Sequence, residues 1–135
     1  MRLPPGARLA DIGAGTGNYT NALAETGFQV SAIEPSAAMR AQATAHTNAV
    51  WFEGAAEALP LPDNSMDGIV STLAIHHFTS VPRAAAEMHR VCPKGPIVIF
   101  TIDPRVGENL WFYDYFPAFY QRDLEAFPPI DEQAA

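Results

Sequence analysis

Glycines 13, 15 and 17 follow a short apolar stretch, with Asp11 two residues before the first of them and Glu34 seventeen residues after the last. A glycine-rich turn between a strand and a helix lets a ligand lie on bare backbone, because side chains would block its approach and some turn positions need positive φ. The spacing discriminates among ligands. A dinucleotide fingerprint reads G-x-G-x-x-G, but Asn18 holds the place of its last glycine, and no G-K-[ST] supplies the phosphate-gripping lysine of a P-loop. Asp11 would repel a pyrophosphate and attract a cation. Glu34 and then Pro35 stand at the expected end of a second strand, where a carboxylate faces the crevice beside the first strand and can accept from both hydroxyls of a ribose. Charged hydrogen bonds of that kind contribute about 1.5 to 3 kcal/mol. The loop looks built for a cation.

A second set of residues offers proton chemistry. His76 and His77 are adjacent at the expected end of a fourth strand, and imidazole titrates near neutral pH, so either can serve as a general base. Asp103, just past the expected fifth strand, is placed to orient one of them, although an aspartate before a proline is also a common turn opening. His46 and His89 read as loop or helix-surface residues. The single cysteine, Cys92, reads as a small core residue at a helix end and excludes an internal disulfide or a multi-cysteine metal site. No metal site is expected.

These residues need elements to hold them. Arg8-Leu9-Ala10-Asp11-Ile12 reads as a first strand, and Tyr19, Ala22 and Leu23 then recur at helical spacing until Gly27. Residues 28–33 read as strand two. Pro35-Ser36 opens an alanine-rich helix running past Met39 to Ala43, and Val50-Trp51-Phe52-Glu53 reads as strand three. Pro60 and Pro62 keep residues 54–64 loop-like. Strand four spans 66–73, Pro82 opens a helix with Ala84, Met88 and Val91 on one face, and the continuous apolar run Ile97-Val98-Ile99-Phe100 predicts a strand covered on both faces. Five strands alternating with helices imply a parallel α/β sheet with right-handed crossovers. Residues 1–104 carry this rhythm. Residues 105–135 form an aromatic-rich helical segment and a loosely ordered polar tail of the same domain, with seven aromatics among the ten residues from Trp111 to Tyr120.

Composition narrows the function classes. Eight basic against fifteen acidic side chains leave a net charge of −7, and Lys94 is the single lysine, so a phosphate-tracking surface for nucleic acid and a basic membrane-surface helix are both disfavoured. No apolar run reaches the roughly 18 residues of a membrane span, and the opening residues lack a secretory signal, which predicts a cytoplasmic protein. An apolar share of 48% in 135 residues predicts one folded domain rather than a disordered chain.

The chain from Leu9 to Ile102 resembles the class I S-adenosylmethionine-dependent methyltransferases, in particular the group that includes quinone-biosynthesis and small-molecule methyltransferases. Four motifs in register carry the resemblance: Asp11-Ile12-Gly13-Ala14-Gly15-Thr16-Gly17; Ala32-Ile33-Glu34-Pro35-Ser36-Ala37-Ala38-Met39; Gly54-Ala55-Ala56-Glu57-Ala58-Leu59-Pro60; and Asp67-Gly68-Ile69-Val70-Ser71-Thr72-Leu73-Ala74-Ile75-His76-His77-Phe78. The resemblance implies a Rossmann-like doubly wound parallel sheet of strand order 3-2-1-4-5, S-adenosyl-L-methionine as cofactor, and transfer of its methyl group to a small-molecule acceptor. It places Gly13, Gly15 and Gly17 beneath the methionyl part, Asp11 near its amino group, Glu34 on the ribose, and Pro35 and Met39 along the adenine slot. Ala55 and Ala56 would offer backbone groups to the adenine edge. Ser71, Thr72 and Leu73 would lie against the sulfonium end.

Departures from the family pattern are also visible. Ala55 stands where an aspartate often receives the adenine amino group. The turn before strand five, Arg90-Val91-Cys92-Pro93-Lys94-Gly95-Pro96, is a permuted version of the usual one. No helix precedes the first strand, and no convincing pair of strands follows Phe100. These departures keep a truncated cofactor-binding module, inactive without a partner chain, as the alternative to an enzyme, with a nucleotide-dependent oxidoreductase third. The stripe Trp111, Phe112, Tyr113, Tyr115, Phe116, Phe119, Tyr120 reads as core or as a homodimer interface. Its functional reading is a lid over an apolar or aromatic acceptor, with cation–π attraction near the sulfonium.

Overall fold

The structure, a computed structural model, describes residues 3–106, 113, 115, 117–127 and 129. Trp111, Phe112, Phe116 and residues 130–135 of the tail lie outside the described residues. Five parallel strands form one sheet, as the βα rhythm predicts, in the order β3-β2-β1-β4-β5 that the family resemblance implies. They are β1 (Arg8–Ile12), β2 (Gln29–Ile33), β3 (Ala49–Phe52), β4 (Gly68–Thr72) and β5 (Ile97–Phe100). Helices α1 (Asn18–Glu25), α2 (Ala37–Arg40), α3 (Val81–Val91) and α4 (Pro117–Ala126) and a 3₁₀ turn (Ile75–His77) connect or follow them.

Each local choice has a chemical reason. Arg8 ties the start of β1 to β4: Asp67 accepts from the Arg8 backbone N–H at 2.8 Å and from its guanidinium at 2.8 and 3.1 Å. That pairing holds the Asp67 carboxyl at about 2, below the ordinary carboxylate range. β4 is shorter than its apolar run predicts, because Leu73 turns out of the sheet with φ at +53°. Helix α2 is a single turn, capped by the Ser36 hydroxyl accepting the Met39 N–H, and stops at Arg40 rather than reaching Ala43. Helix α3 opens with proline in its first turn and buries Ala84, Met88 and Val91, with Cys92 buried at its C-terminal end.

The core sits between the sheet and α3. Ile12, Ile33 and Ile69 are fully buried there with Met88, Val91, Leu59 and Leu61. Arg90 pins the proline-rich loop over this core, donating to the carbonyls of Leu59 (3.1 Å) and Leu61 (2.9 Å) while pairing with Glu87 and Asp63. Glu87 also accepts the Leu59 N–H at 2.8 Å.

β5 departs from expectation. All four of its residues are exposed, although their apolar run predicts cover on both faces. The run is continuous, but the strand lies at the end of the sheet order, where β4 pairs with one side only. Apolarity alone does not distinguish a central strand from an apolar edge.

Candidate functional site

A cavity of about 460 Å³ opens at the carboxyl ends of β1, β2, β3 and β4, where ligands enter open α/β sheets. It is lined by eleven of the residues singled out from sequence: Asp11, Gly13, Gly15, Glu34, Pro35, Met39, Ala55, Ala56, Thr72, Leu73 and His77. Gly17, Ser71, His76 and Asp103 are not on its wall.

The glycine turn uses its glycines differently. Gly13 has φ +74°, and a Cβ there would stand 2.4 Å from the Cβ of Ala74, so this position is bare because the end of β4 packs against it. Gly15 has φ +58° and open space where its Cβ would be, which leaves that space for a ligand. Gly17, off the wall, precedes α1 with its missing Cβ 2.7 Å from the Trp51 ring, so a side chain there would collide with β3.

Two carboxylates fix the turn. Glu34 Oε2 accepts the Gly15 N–H at 2.9 Å and Oε1 accepts the Ser36 N–H at 2.8 Å, so the acid ending β2 already grips the glycine turn. Arg40 braces it from behind, donating to the Glu34 carbonyl and to Glu53. Asp11 is 1% exposed and accepts the Thr20 hydroxyl at 2.5 Å. Burial pushes its carboxyl above the ordinary value and nearby Glu34 adds to the rise, against the opposing hydrogen bond from Thr20.

Ser71 is fully buried, and its hydroxyl donates to the Ile12 carbonyl at 2.9 Å. It joins β4 to β1 and is not on the cavity wall. The histidine pair separates as well. His77 lines the cavity, whereas His76 turns toward Phe127, with ring centroids 4.1 Å apart, and its Nδ1 is buried with no hydrogen-bond partner among the described residues. Burial and then the neighbouring His77 push the His76 imidazole below its ordinary value, against an opposing pull from Asp123. Asp103 accepts from the Arg105 backbone N–H at 2.9 Å and from its guanidinium at 3.3 Å. Its carboxylate is engaged at the turn after β5, away from the cavity wall.

Sequence reasoning passed over Glu57 and Tyr19, both on the wall. Glu57 accepts the Thr79 hydroxyl at 3.1 Å and the Ser80 N–H at 3.0 Å, linking the loop after β3 to the start of α3. Burial would raise its carboxyl, but these hydrogen bonds, Ser80's first, hold it below the ordinary value. A glutamate three residues before a proline pair gives no hint of this link. Tyr19 follows the periodicity of α1, yet that helix buries Thr20 and Ala24 and leaves Tyr19 half-exposed at the cavity.

The wall thus carries three carboxylates, Asp11, Glu34 and Glu57, and no lysine or arginine among the described residues. That set suits a cationic ligand, and the space over Gly15 suits one lying against backbone. S-adenosylmethionine fits both features. Among the described residues no cluster of three or more histidine, cysteine, aspartate or glutamate side chains is arranged to hold a metal ion.

Residues 10–100 match a family described as a methyltransferase domain. The chain belongs to that family. The matched range takes in the glycine turn and the acid at the end of β2. Over 92 residues, 67% of this chain and 37% of the relative, it is 36% identical to a ubiquinone/menaquinone biosynthesis C-methyltransferase of Rubrivivax gelatinosus. Over 96 residues, 70% of this chain and 38% of the relative, it is 35% identical to a malonyl-[acyl-carrier protein] O-methyltransferase of Pectobacterium atrosepticum. A crystal structure described as a methyltransferase from an antibiotic biosynthesis pathway in Anabaena variabilis superposes with TM-score 0.92 at 50% identity, covering 97% of this chain and 53% of that one. The chain spans less than half the length of the curated relatives it matches. The cofactor of the family is S-adenosyl-L-methionine. A Mesorhizobium loti neighbour, described as an S-adenosylmethionine-dependent methyltransferase, superposes with TM-score 0.66 at 29% identity, covering 76% of this chain and 50% of that one.

Proposed function

We propose that this chain binds S-adenosylmethionine in the cavity after β1 and β2 and transfers its methyl group to a small-molecule acceptor. The observation that carries the reading is a cavity walled by three carboxylates and, among the described residues, no lysine or arginine, with Glu34 already bonded to the glycine turn. The cofactor supplies a methyl group on a sulfonium, a good leaving group. The chain's own task is to align, exclude water and accept a proton, and alignment alone can lower a barrier by up to about 7 to 11 kcal/mol.

Gly13 and Gly15 bring backbone to the methionyl part, Asp11 faces its amino end, and Glu34 holds the ribose hydroxyls. Pro35, Met39, Ala55 and Ala56 flank the adenine, and Thr72 and Leu73 border the sulfonium end. His77, on the wall after β4, accepts the acceptor's proton on an imidazole nitrogen where the nucleophile carries one. His76 shapes the wall through His77. That the named relatives are methyltransferases supports transfer over inert binding.

Residues 1–104 are the cofactor-binding core in this reading, and 105–135 are its acceptor-side segment. Net charge −7 disfavours nucleic acid as acceptor. Among the described residues no helix is long and apolar enough to cross a membrane, and a single buried free cysteine agrees with a reducing, cytoplasmic setting. Exposed Tyr115 and Phe119 support a homodimer contact through the aromatic segment.

Thermal unfolding with S-adenosylmethionine, its demethylated product and a nicotinamide dinucleotide tests the reading. The first two should stabilise the chain by about 2.7 kcal/mol at a hundredfold excess over Kd, and the third should not. Gly15→Val should abolish that stabilisation with the circular dichroism spectrum retained, since its side chain would fill the ligand's space. No shift with either sulfur compound overturns the reading.

A further inference from the structure

The segment after β5 returns to the histidine turn through contacts that cofactor binding leaves unused. Arg105, held by Asp103, donates from Nη1 to the Phe127 carbonyl at 3.0 Å and from Nη2 to the Leu124 carbonyl at 3.0 Å. Both carbonyls lie at the C-terminal end of α4, where no intrahelical donor remains and the helix dipole favours a cation. Phe127 is buried, its N–H donates to the Asp123 carbonyl at 2.9 Å, and its ring lies 4.1 Å from that of His76. His76 in turn lies 3.9 Å, centroid to centroid, from His77 on the cavity wall.

We propose that Arg105 is a positioning residue of the site: by gripping the last carbonyls of α4 it seats Phe127 on His76 and so fixes the His77 imidazole at the cavity wall. The inference rests on the reading that His77 serves the cavity. A guanidinium spanning two carbonyls fixes direction as well as distance, which a lysine ammonium cannot do. With no hydrogen-bond partner for His76 Nδ1 among the described residues, packing against Phe127 and His77 sets the ring's orientation there, so a displaced Phe127 releases it. Asp103 acts through Arg105 and then Phe127, two residues removed from His76.

Imidazole titration by NMR and amide exchange test the idea on the full chain, with S-adenosylhomocysteine as the cavity probe. In Arg105→Ala, α4 amides should exchange about tenfold faster or more. The His76 titration midpoint should rise as burial is lost, His77 resonances should move, and affinity for the probe should stay within about threefold. Arg105→Lys should fall between the two. Phe127→Leu keeps an apolar side chain and the backbone carbonyl that Arg105 grips while removing the ring on His76, so it should shift His76 and His77 with α4 protection intact, and it serves if Arg105→Ala does not fold. Unmoved His77 resonances in both variants overturn the proposal, as does unchanged α4 protection in Arg105→Ala. If the probe leaves His77 unmoved in the wild type, the cavity reading of His77 fails instead, while the response of the ring to the Arg105 and Phe127 variants still decides the clamp.

Discussion

Glu34 has two roles that a single mutant would confuse. Its carboxylate grips the Gly15 and Ser36 N–H groups, and it is the acid assigned to the ribose. Glu34→Ala removes both, and affinity for S-adenosylmethionine should fall by about ten- to a hundredfold, as expected for lost charged hydrogen bonds. Calorimetry showing unchanged affinity would sink the ribose assignment. Faster exchange of the Gly15 amide without the ligand would measure the gripping role separately. Asp11 gives a pH signature with opposed signs. Its folded-state carboxyl is raised by burial, so its contribution to stability is full at low pH and lost as pH rises through that raised value. A cationic ligand prefers the ionised form, so affinity should climb over the same window while the stability of the free protein declines. Asp11→Asn should flatten both trends in a thermal-shift series across pH. At this scale the acids and Gly15 were legible because their spacing is chemical. Ser71, Gly17 and the division of labour between His76 and His77 were not: adjacent residues on a 3₁₀ turn diverge by about 120°, and sequence alone does not fix which one meets the cavity.

The elements were legible where periodicity and punctuation agreed, as in α3, whose proline start and apolar face both appear in the fold. What holds the loop over the core was not, since nothing in the spacing of Glu87 and Arg90 on that helix points to the backbone of Leu59 and Leu61. Arg90→Ala strands two loop carbonyls and releases Glu87 and Asp63, and it should cost about 1 to 3 kcal/mol in urea denaturation. Glu87 lies at about 2 because Arg90 donates to it. With the folded value depressed, its contribution is present above the unfolded carboxylate range and is lost as pH falls through that range toward 2. Solvent trims the effect, since the Glu87 side chain keeps 22% of its surface exposed. The wild-type chain should therefore lose stability on acidification below about pH 4.5 more steeply than Glu87→Gln, measured as urea midpoints. Parallel acid limbs would mean that the Arg90 pairing contributes little.

For the whole molecule, the acidic cavity and the net charge of −7 act together to favour a cation, whereas β5 sets a separate constraint. Among the described residues β5 pairs with β4 alone, and an unpaired strand edge offers a row of backbone donors and acceptors to another chain, an invitation that apolar side chains strengthen. Alternate residues share a face, so Val98 and Phe100 lie together at 53% and 59% exposed, more open than Ile97 and Ile99, each at 41%. Charges that would discourage pairing are missing from the strand itself, although Lys94 and Asp103 flank it in sequence. Self-association of the 135-residue chain should accordingly rise with concentration, read as scattered light at fixed temperature. Val98→Lys puts a solvated charge on the more open face without touching the cavity, so it should suppress scattering while leaving affinity for S-adenosylmethionine and the thermal midpoint close to wild type. If the lysine variant scatters as the wild type does, association runs through another surface, and the aromatic segment with Tyr115 and Phe119 becomes the place to substitute next.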